Sequence, residues 1–436
     1  MNATLRPLRT IEARGGPRER GLTIGAALRN EIADHVAALK GSLLASVGDA
    51  DAYLAQMLAE TDFKTAIRRH TPDLMTELEA TAEGAGAAAD DLYALQLLDE
   101  EWAYRVRRSA ARSPQKCSSL AIAGPDGPTW IAQNMDLGGY TEGFQALLDI
   151  DDGERPRVLV FTAAGMLGLM GVNAAGIGVC VNALPQLPSA PEGLPVAFVI
   201  RRLLQARSAA EAAALAQTLP HATNQHYLIA GPGELRSFEA SAAGVTEYRS
   251  PDPGRVLHTN HPLTDAPARP EPPAARENSA ARLASLQARL GAGHPGLAEI
   301  QAALSSHDDA RHPVCRAGGA LGFTTGSMIS AIGPDRVEVW VSAGPPDVGG
   351  YHHHALARTS SLSALGAATP SSIANLQLDD LLEKAKGRES DASEPAEAQA
   401  ASPRTIAEVV ASAREAIARL AGVKPEAVKL DVRIES

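Results

Sequence analysis

The hydrophobic pattern changes period along the chain. From Gly21 through Leu39, and again from Leu74 to Leu98, apolar residues recur at helical spacing, with a break at Gly84-Ala85-Gly86. The first 110 or so residues therefore read as mainly helix after a short initial strand. From residue 117 to 350 the pattern becomes short β-rich runs bounded by Gly and Pro, such as Arg157-Val158-Leu159-Val160-Phe161, Gly178-Val179-Cys180-Val181 and His226-Tyr227-Leu228-Ile229-Ala230. Helical patterns interrupt them from Ala197 to Leu219 and from Ser279 to Leu290, and Arg336 to Ser342 alternates like a strand packed on one side. Strands clustered between helices, with several hairpins, predict an α+β protein with two packed sheets covered by helices rather than regular βαβ units. After Leu356 the composition turns to Ala, Ser, Pro and Glu. Residues 356–404 read as a low-complexity linker, and residues 405–436 as a small helix-strand appendage.

One hairpin carries chemistry. Lys116-Cys117-Ser118-Ser119-Leu120-Ala121-Ile122 and Trp130-Ile131-Ala132-Gln133-Asn134-Met135-Asp136 flank a Gly124-Pro125-Asp126-Gly127 turn. Pairing sets the Cys117 thiol at the start of one strand and a Gln/Asn/Asp cluster at the end of its partner. That is how a self-processing N-terminal nucleophile is arranged. A thiol attacks as the thiolate, and a cysteine freed as an N-terminus carries its own base, an α-amine with an ordinary pKa of about 7.7–8.0. Asp136 is placed to accept a hydrogen bond from that amine, or to cap the turn that follows it.

Composition narrows the classes. Hydrophobic residues make up 45% and charged residues 21%, as in an ordinary globular protein, and the formal net charge of −11 argues against a nucleic-acid partner. Three cysteines, Cys117, Cys180 and Cys315, with no CxxC pair fit neither a disulfide framework nor a zinc site. Cys180 sits in an apolar run and reads as core; no role is assigned to Cys315. No secretory h-region and no apolar run of about 18 residues is present, so the expectation is a cytoplasmic protein away from membranes. The tract Tyr351-His352-His353-His354 reads as a solvated strand end, since consecutive histidines cannot all face one ion on regular structure, and no metal is expected. The glycines of Gly171-Val172-Asn173-Ala174-Ala175-Gly176-Ile177-Gly178 have the wrong spacing for a dinucleotide fingerprint, and no cofactor is expected.

A series of short blocks in fixed order resembles the acyl-coenzyme A:6-aminopenicillanate acyltransferase-like family, the peptidase C45 group of N-terminal nucleophile hydrolases. They are Gly16-Pro17-Arg18-Glu19-Arg20-Gly21, Cys117-Ser118-Ser119, Gln133-Asn134-Met135-Asp136, and Gly171 to Gly176 with Val181-Asn182-Ala183-Leu184. His258-Thr259-Asn260-His261, Ser279 with Arg282, Val314-Cys315-Arg316 and Gly344-Pro345-Pro346 follow. The resemblance spans residues 15–354. It implies a four-layer αββα sandwich, with 1–116 as a mainly helical fragment released by autocleavage between Lys116 and Cys117, and 117–355 as the catalytic core. It implies catalytic roles for Cys117, Asp136, Asn260 and Arg316, with Asn260 donating to the oxyanion. Asn182, Asn134 and Ser241 follow as oxyanion or substrate contacts. The family commonly has Gly before the nucleophile; Lys116 here is a departure expected to slow cleavage.

The expected activity is hydrolysis or acyl transfer on small N-acyl or peptide-like amides through an acyl-enzyme on Cys117, with a small amide or acyl donor as the partner. A homo-oligomer of processed two-fragment units is an admitted assembly. Two other readings stay open on the residues: an uncleaved thiol hydrolase pairing Cys117 with His258 or His261, and a non-catalytic binding scaffold.

Overall fold

The computed structural model describes residues 6–108, 116–124, 127–270, 273–318 and 322–358. The linker and appendage expected beyond residue 358 lie outside the described residues.

An eight-stranded sheet takes β1 (Arg9–Arg14), β4 (Gln145–Asp151), β5 (Val158–Ala163), β6 (Met170–Asn173), β7 (Gly178–Ala183), β8 (Gln225–Gly231), β9 (Glu234–Ser241) and β10 (Gly244–Glu247), in that order. A six-stranded sheet runs β11 (Arg255–His258), β2 (Lys116–Ile122), β3 (Thr129–Leu137), β12 (Phe323–Ile332), β13 (Arg336–Ser342), β14 (His352–Ala357). Twelve α-helices accompany them among the described residues. The protein is thus mixed α+β with two sheets.

The N-terminal segment is helical as expected, and its helices are α1 (Pro17–Ala27), α2 (Arg29–Val47), α3 (Ala50–Glu60), α4 (Phe63–His70), α5 (Pro72–Ala85), α6 (Ala89–Leu95) and α7 (Leu98–Arg108). The break at Gly84-Ala85-Gly86 is real: Gly86 ends α5 in the left-handed conformation. The segment is nevertheless no separate body, because β1 pairs in parallel with β4 and residues from α1 to α7 share one core with both sheets. Helix α1 lies close against α5, where a Cβ at Gly25 would stand 2.1 Å from the Thr81 carbonyl oxygen. The buried Glu77 carboxylate locks that contact to Arg20 at 2.8 Å and Arg201 at 2.9 Å.

The single helix expected over 197–219 is two, α8 (Val196–Leu203) and α9 (Ala209–Thr218), which pack on β7, β8 and β9. The helix expected at Ser279 starts earlier, as α10 (Pro273–Leu290); with α11 (Leu297–Leu304) it packs on β11, β2 and β3 over a second apolar cluster. The last helix, α12 (Pro346–Gly349), is a single turn. The glycine-rich stretch at 171–178 is the β6–β7 hairpin. Its Asn173 side chain accepts from the Ala175 and Ile177 amides and donates to the carbonyls of Leu204 and Ala206.

The two sheets meet face to face, with Phe161 of β5 lying over Gly326 of β12; a Cβ there would stand 2.1 Å from the ring. Overpacking in a closed core costs about 1–3 kcal/mol. Gly326→Ala is expected to destabilise the protein by that amount in urea denaturation.

Candidate functional site

The expected hairpin forms: Lys116 pairs with Asp136, Cys117 with Met135 and Ser118 with Asn134. Alternation then sorts the side chains. Cys117 and Met135 join the core between the sheets, their sulfurs 3.5 Å apart. The strand neighbours Leu120 and Ala132 turn to the helix side, under α10 and α11.

Cys117 is held through its backbone. Its N–H donates to Asn260 Oδ1 at 2.8 Å, and its carbonyl oxygen accepts from Arg282 Nη1. The fully buried Arg282 also donates to Ser118 Oγ at 2.9 Å, Asn260 Oδ1 at 2.8 Å and Asn278 Oδ1 at 3.2 Å. Asn260 Nδ2 donates to the Ala183 carbonyl at 3.0 Å. Asn260 therefore holds the Cys117 nitrogen through its oxygen, and its own amide is spent on Ala183. The Ser279 hydroxyl fixes the Thr259–His261 loop by accepting from the Asn260 amide at 2.8 Å and pairing with His261 Nδ1 at 2.7 Å.

Asp136 does not reach the Cys117 nitrogen among the hydrogen bonds described. Its carboxylate pairs with Arg316 Nε at 2.9 Å and accepts from Thr324 Oγ1 at 2.7 Å. Both ends of this ion pair are almost fully buried. Burial, with the Asp136 charge adding to it, pushes the Cys117 thiol up to about 12, while a hydrogen bond from the Asp136 backbone and the charge of Arg282 pull the other way. The thiol is thus protonated at neutral pH before any cleavage.

The remaining expected residues part company. Asn182 lies in a polar layer between the sheets, accepting from Ser119 Oγ at 2.6 Å and touching His226 Nδ1 at 3.0 Å; its Nδ2 is buried without a partner among the described residues. Asn134 is not brought to the thiol. Its amide donates to the carbonyls of Leu304 and Val314 and so ties the loop after α11 to the sheet. Ser241 is a turn residue, bonded to Gly244 and Ala243 at the β9–β10 hairpin. The informative residue of its block is Glu239, which is buried and accepts from His258 Nε2 at 3.1 Å and from Thr264 Oγ1 at 2.6 Å.

Neither histidine makes a dyad with Cys117. His258 uses Nδ1 on the Thr259 carbonyl and Nε2 on Glu239, and stacks on His226 with centroids 3.6 Å apart. His261 is pushed down to about 4 by burial and the nearby Arg276 charge. The histidine tract is part of β14, with His352 bonded to the Arg6 carbonyl and His353 to Glu338. Cys180 is buried in β7. Among the described residues, one mixed ligand group comes together, His307, Cys315 and Asp347, and its members already bond one another: Cys315 Sγ to Asp347 Oδ1 at 3.2 Å and His307 Nε2 to Asp347 Oδ2 at 2.9 Å.

Cys117 lines a cavity of about 30 Å³, with Met135, Met166, Leu169, Val196, Asp99 and Gln225 among its other walls. Asp99 and its neighbour Glu100, at the start of α7, carry no local sequence signal; only their long-range partners reveal them. Burial raises the Asp99 carboxyl to about 7, and burial with the adjacent Asp99 charge raises Glu100 to about 8. An acid held above its unfolded pKa adds stability that is complete below the unfolded value and lost as pH rises through the folded one. Glu100→Gln is therefore expected to flatten the fall in melting temperature between pH 5 and pH 9, with the variants nearest in stability at the acid end.

Residues 122–321 match the family model described as acyl-coenzyme A:6-aminopenicillanic acid acyl-transferase. A curated relative, the acyl-coenzyme A:6-aminopenicillanic-acid-acyltransferase 40 kDa form of Emericella nidulans, is 26% identical over 254 residues, 58% of this chain and 69% of the relative. The solved structure of penicillin V acylase from Agrobacterium tumefaciens is similar over 52% of this chain and 83% of that one, at 14% identity and a TM-score of 0.29. The chain contains no helix, among the described residues, long and apolar enough to cross a membrane.

Proposed function

We propose that this chain, whose residues 122–321 match the acyl-coenzyme A:6-aminopenicillanic acid acyl-transferase family, is a self-processing cysteine amidohydrolase or acyltransferase built on an αββα sandwich. The observation that carries the proposal is the setting of Cys117: it lines the cavity, while Asn260 grips its nitrogen and Arg282 its carbonyl.

In processing, the Cys117 sulfur attacks the Lys116 carbonyl carbon. The C–N bond to Cys117 breaks, the thiol proton passes to the departing nitrogen, and a thioester replaces the amide. Water then cleaves the thioester, leaving a carboxylate on Lys116 and a free α-amine and thiol on Cys117. Asn260 Oδ1 already accepts from that nitrogen, so the new amine is born with a hydrogen-bond partner. A thiol lifted to about 12 is expected to make this step slow, and Lys116 in place of glycine to slow it further.

In turnover the α-amine takes the thiol proton, the thiolate attacks an amide or thioester carbonyl, and the amine or thiol leaves with the proton from the α-ammonium. Water or an acceptor amine resolves the acyl-enzyme. Negative charge on the carbonyl oxygen needs fixed donors; Asn182 Nδ2, buried without a partner among the described residues, and Asn260 Nδ2, after release from Ala183, are the candidates. Arg316 positions Asp136 rather than substrate.

Acid quenching during turnover of a panel of N-acyl amides and acyl thioesters tests this reading. The expected result is an acyl-sized mass gain confined to the 117–436 fragment and abolished by prior alkylation of the thiol. Turnover that persists after alkylation, with no adduct, would overturn it.

A further inference from the structure

The cavity at Cys117 is walled mostly by apolar side chains, and two of the three acid or amide side chains in its wall are left incomplete. Gln225, 1% exposed, donates Nε2 to Asp99 Oδ2 at 2.8 Å, but its Oε1 has no hydrogen-bond partner among the described residues. Asp99 Oδ1 is likewise sealed from solvent without a partner among them. Gln96, the third polar wall residue, is fully used: it donates to the carbonyls of Leu92 and Gly165 and accepts from the Leu167 amide.

A buried acceptor without a donor costs about 1–3 kcal/mol. A plain alkyl chain in this cavity would leave both oxygens in that condition, whereas a ligand with N–H groups would satisfy both. The one carboxyl in the wall decides which donor fits: burial holds Asp99 near 7, and a cation beside it favours its ionised form. The flexible side chains of Met135 and Met166 form walls that can shift to admit more than the present volume.

We propose that the substrate group entering the cavity beside Cys117 carries a protonated amine, which sits on Asp99 with the Gln225 side-chain oxygen as second acceptor. The preferred acyl group is thus amino-bearing rather than a plain alkanoyl chain. This rests on the reading of Cys117 as nucleophile, and it makes Asp99 and Gln225 residues of specificity.

The test uses matched pairs in which a terminal ammonium replaces a methyl: alanyl against 2-methylpropanoyl, 4-aminobutanoyl against pentanoyl, and 6-aminohexanoyl against heptanoyl. Binding of the six free acids to the purified chain is measured by calorimetry, and turnover is followed with the six 4-nitroanilides. In at least one pair the amine member is expected to bind about tenfold or more tighter. Asp99→Asn is expected to bring that ratio to within about threefold, and Gln225→Leu to reduce it. Methyl-ended acids binding as well as their amine partners, no binding by any amine member, or an unchanged ratio in Asp99→Asn would each overturn the proposal. Should Asp99→Asn fail to fold, the pair comparison in the wild type and in Gln225→Leu still decides. Failure of every anilide to turn over would strike the proposed activity instead, while calorimetry would still decide the role of Asp99.

Discussion

Asp136→Asn protein is expected to unfold about 3–5 kcal/mol more easily than the wild type in urea. The carboxylate is 1% exposed, faces Arg316 at 2.9 Å, and accepts from Thr324 at 2.7 Å. Its charge also favours the protonated form of the buried Arg282, which Arg316 opposes. The side chain is thus the anion shared by two buried guanidinium groups, and an amide of the same shape keeps the Thr324 bond while removing the charge. Partial recovery is expected in Asp136→Asn/Arg316→Met, which also removes one of the two cations. The same substitution removes a charge that lifts the Cys117 thiol, so the pH midpoint of its alkylation should fall. A loss below about 1 kcal/mol, with no move in that midpoint, would show the pair to be incidental.

Cys117→Ala has the largest expected effect on function. On the proposed mechanism, loss of the sulfur leaves the N-to-S shift without a nucleophile and the acyl-enzyme with nowhere to form. Removing a nucleophile of this kind lowers kcat/KM by at least about 10³-fold. Stability should change far less, since a small buried side chain is lost and Asn260 and Arg282 keep their backbone contacts to residue 117. Folding and catalysis therefore separate in this variant, which they do not in Asp136→Asn.

What was legible in the chain follows from locality. The Cys117–Asp136 hairpin came from two apolar runs around one turn, and the helical N-terminal segment from its period. Arg316, carried by one of the family blocks, does come to Asp136, at 2.9 Å. The polar residues sorted less well, because strand alternation decides which of two neighbouring amides faces the thiol. Asn134, one residue from Met135, spends its amide on the loop carbonyls of Leu304 and Val314. Ser241 stood near the informative position, but Glu239, two residues before it, carries the buried contact to His258.

Other features had no local signal. Arg282 belonged to a family block, yet that it would hold the Cys117 carbonyl depends on α10 crossing β2. Asp99 reads as one acid in a charged helix start, and only the fold brings it to the cavity that Cys117 shares with Gln225. Asn260 was expected to donate to an oxyanion; in the structure its oxygen accepts from the Cys117 amide and Arg282 while its Nδ2 donates to the Ala183 carbonyl. The direction of an amide is set by its neighbours, and these come from segments more than a hundred residues apart for one partner and a different helix for the other.

The central claim is that Cys117 makes itself an N-terminus. Denaturing intact mass of freshly purified wild type beside Cys117→Ala measures this directly. Expected are two species in the wild type, residues 1–116 and residues 117–436, and a single 436-residue chain in the variant. A single intact chain in a wild type that nevertheless turns over amides, or the same two fragments in Cys117→Ala, would contradict it.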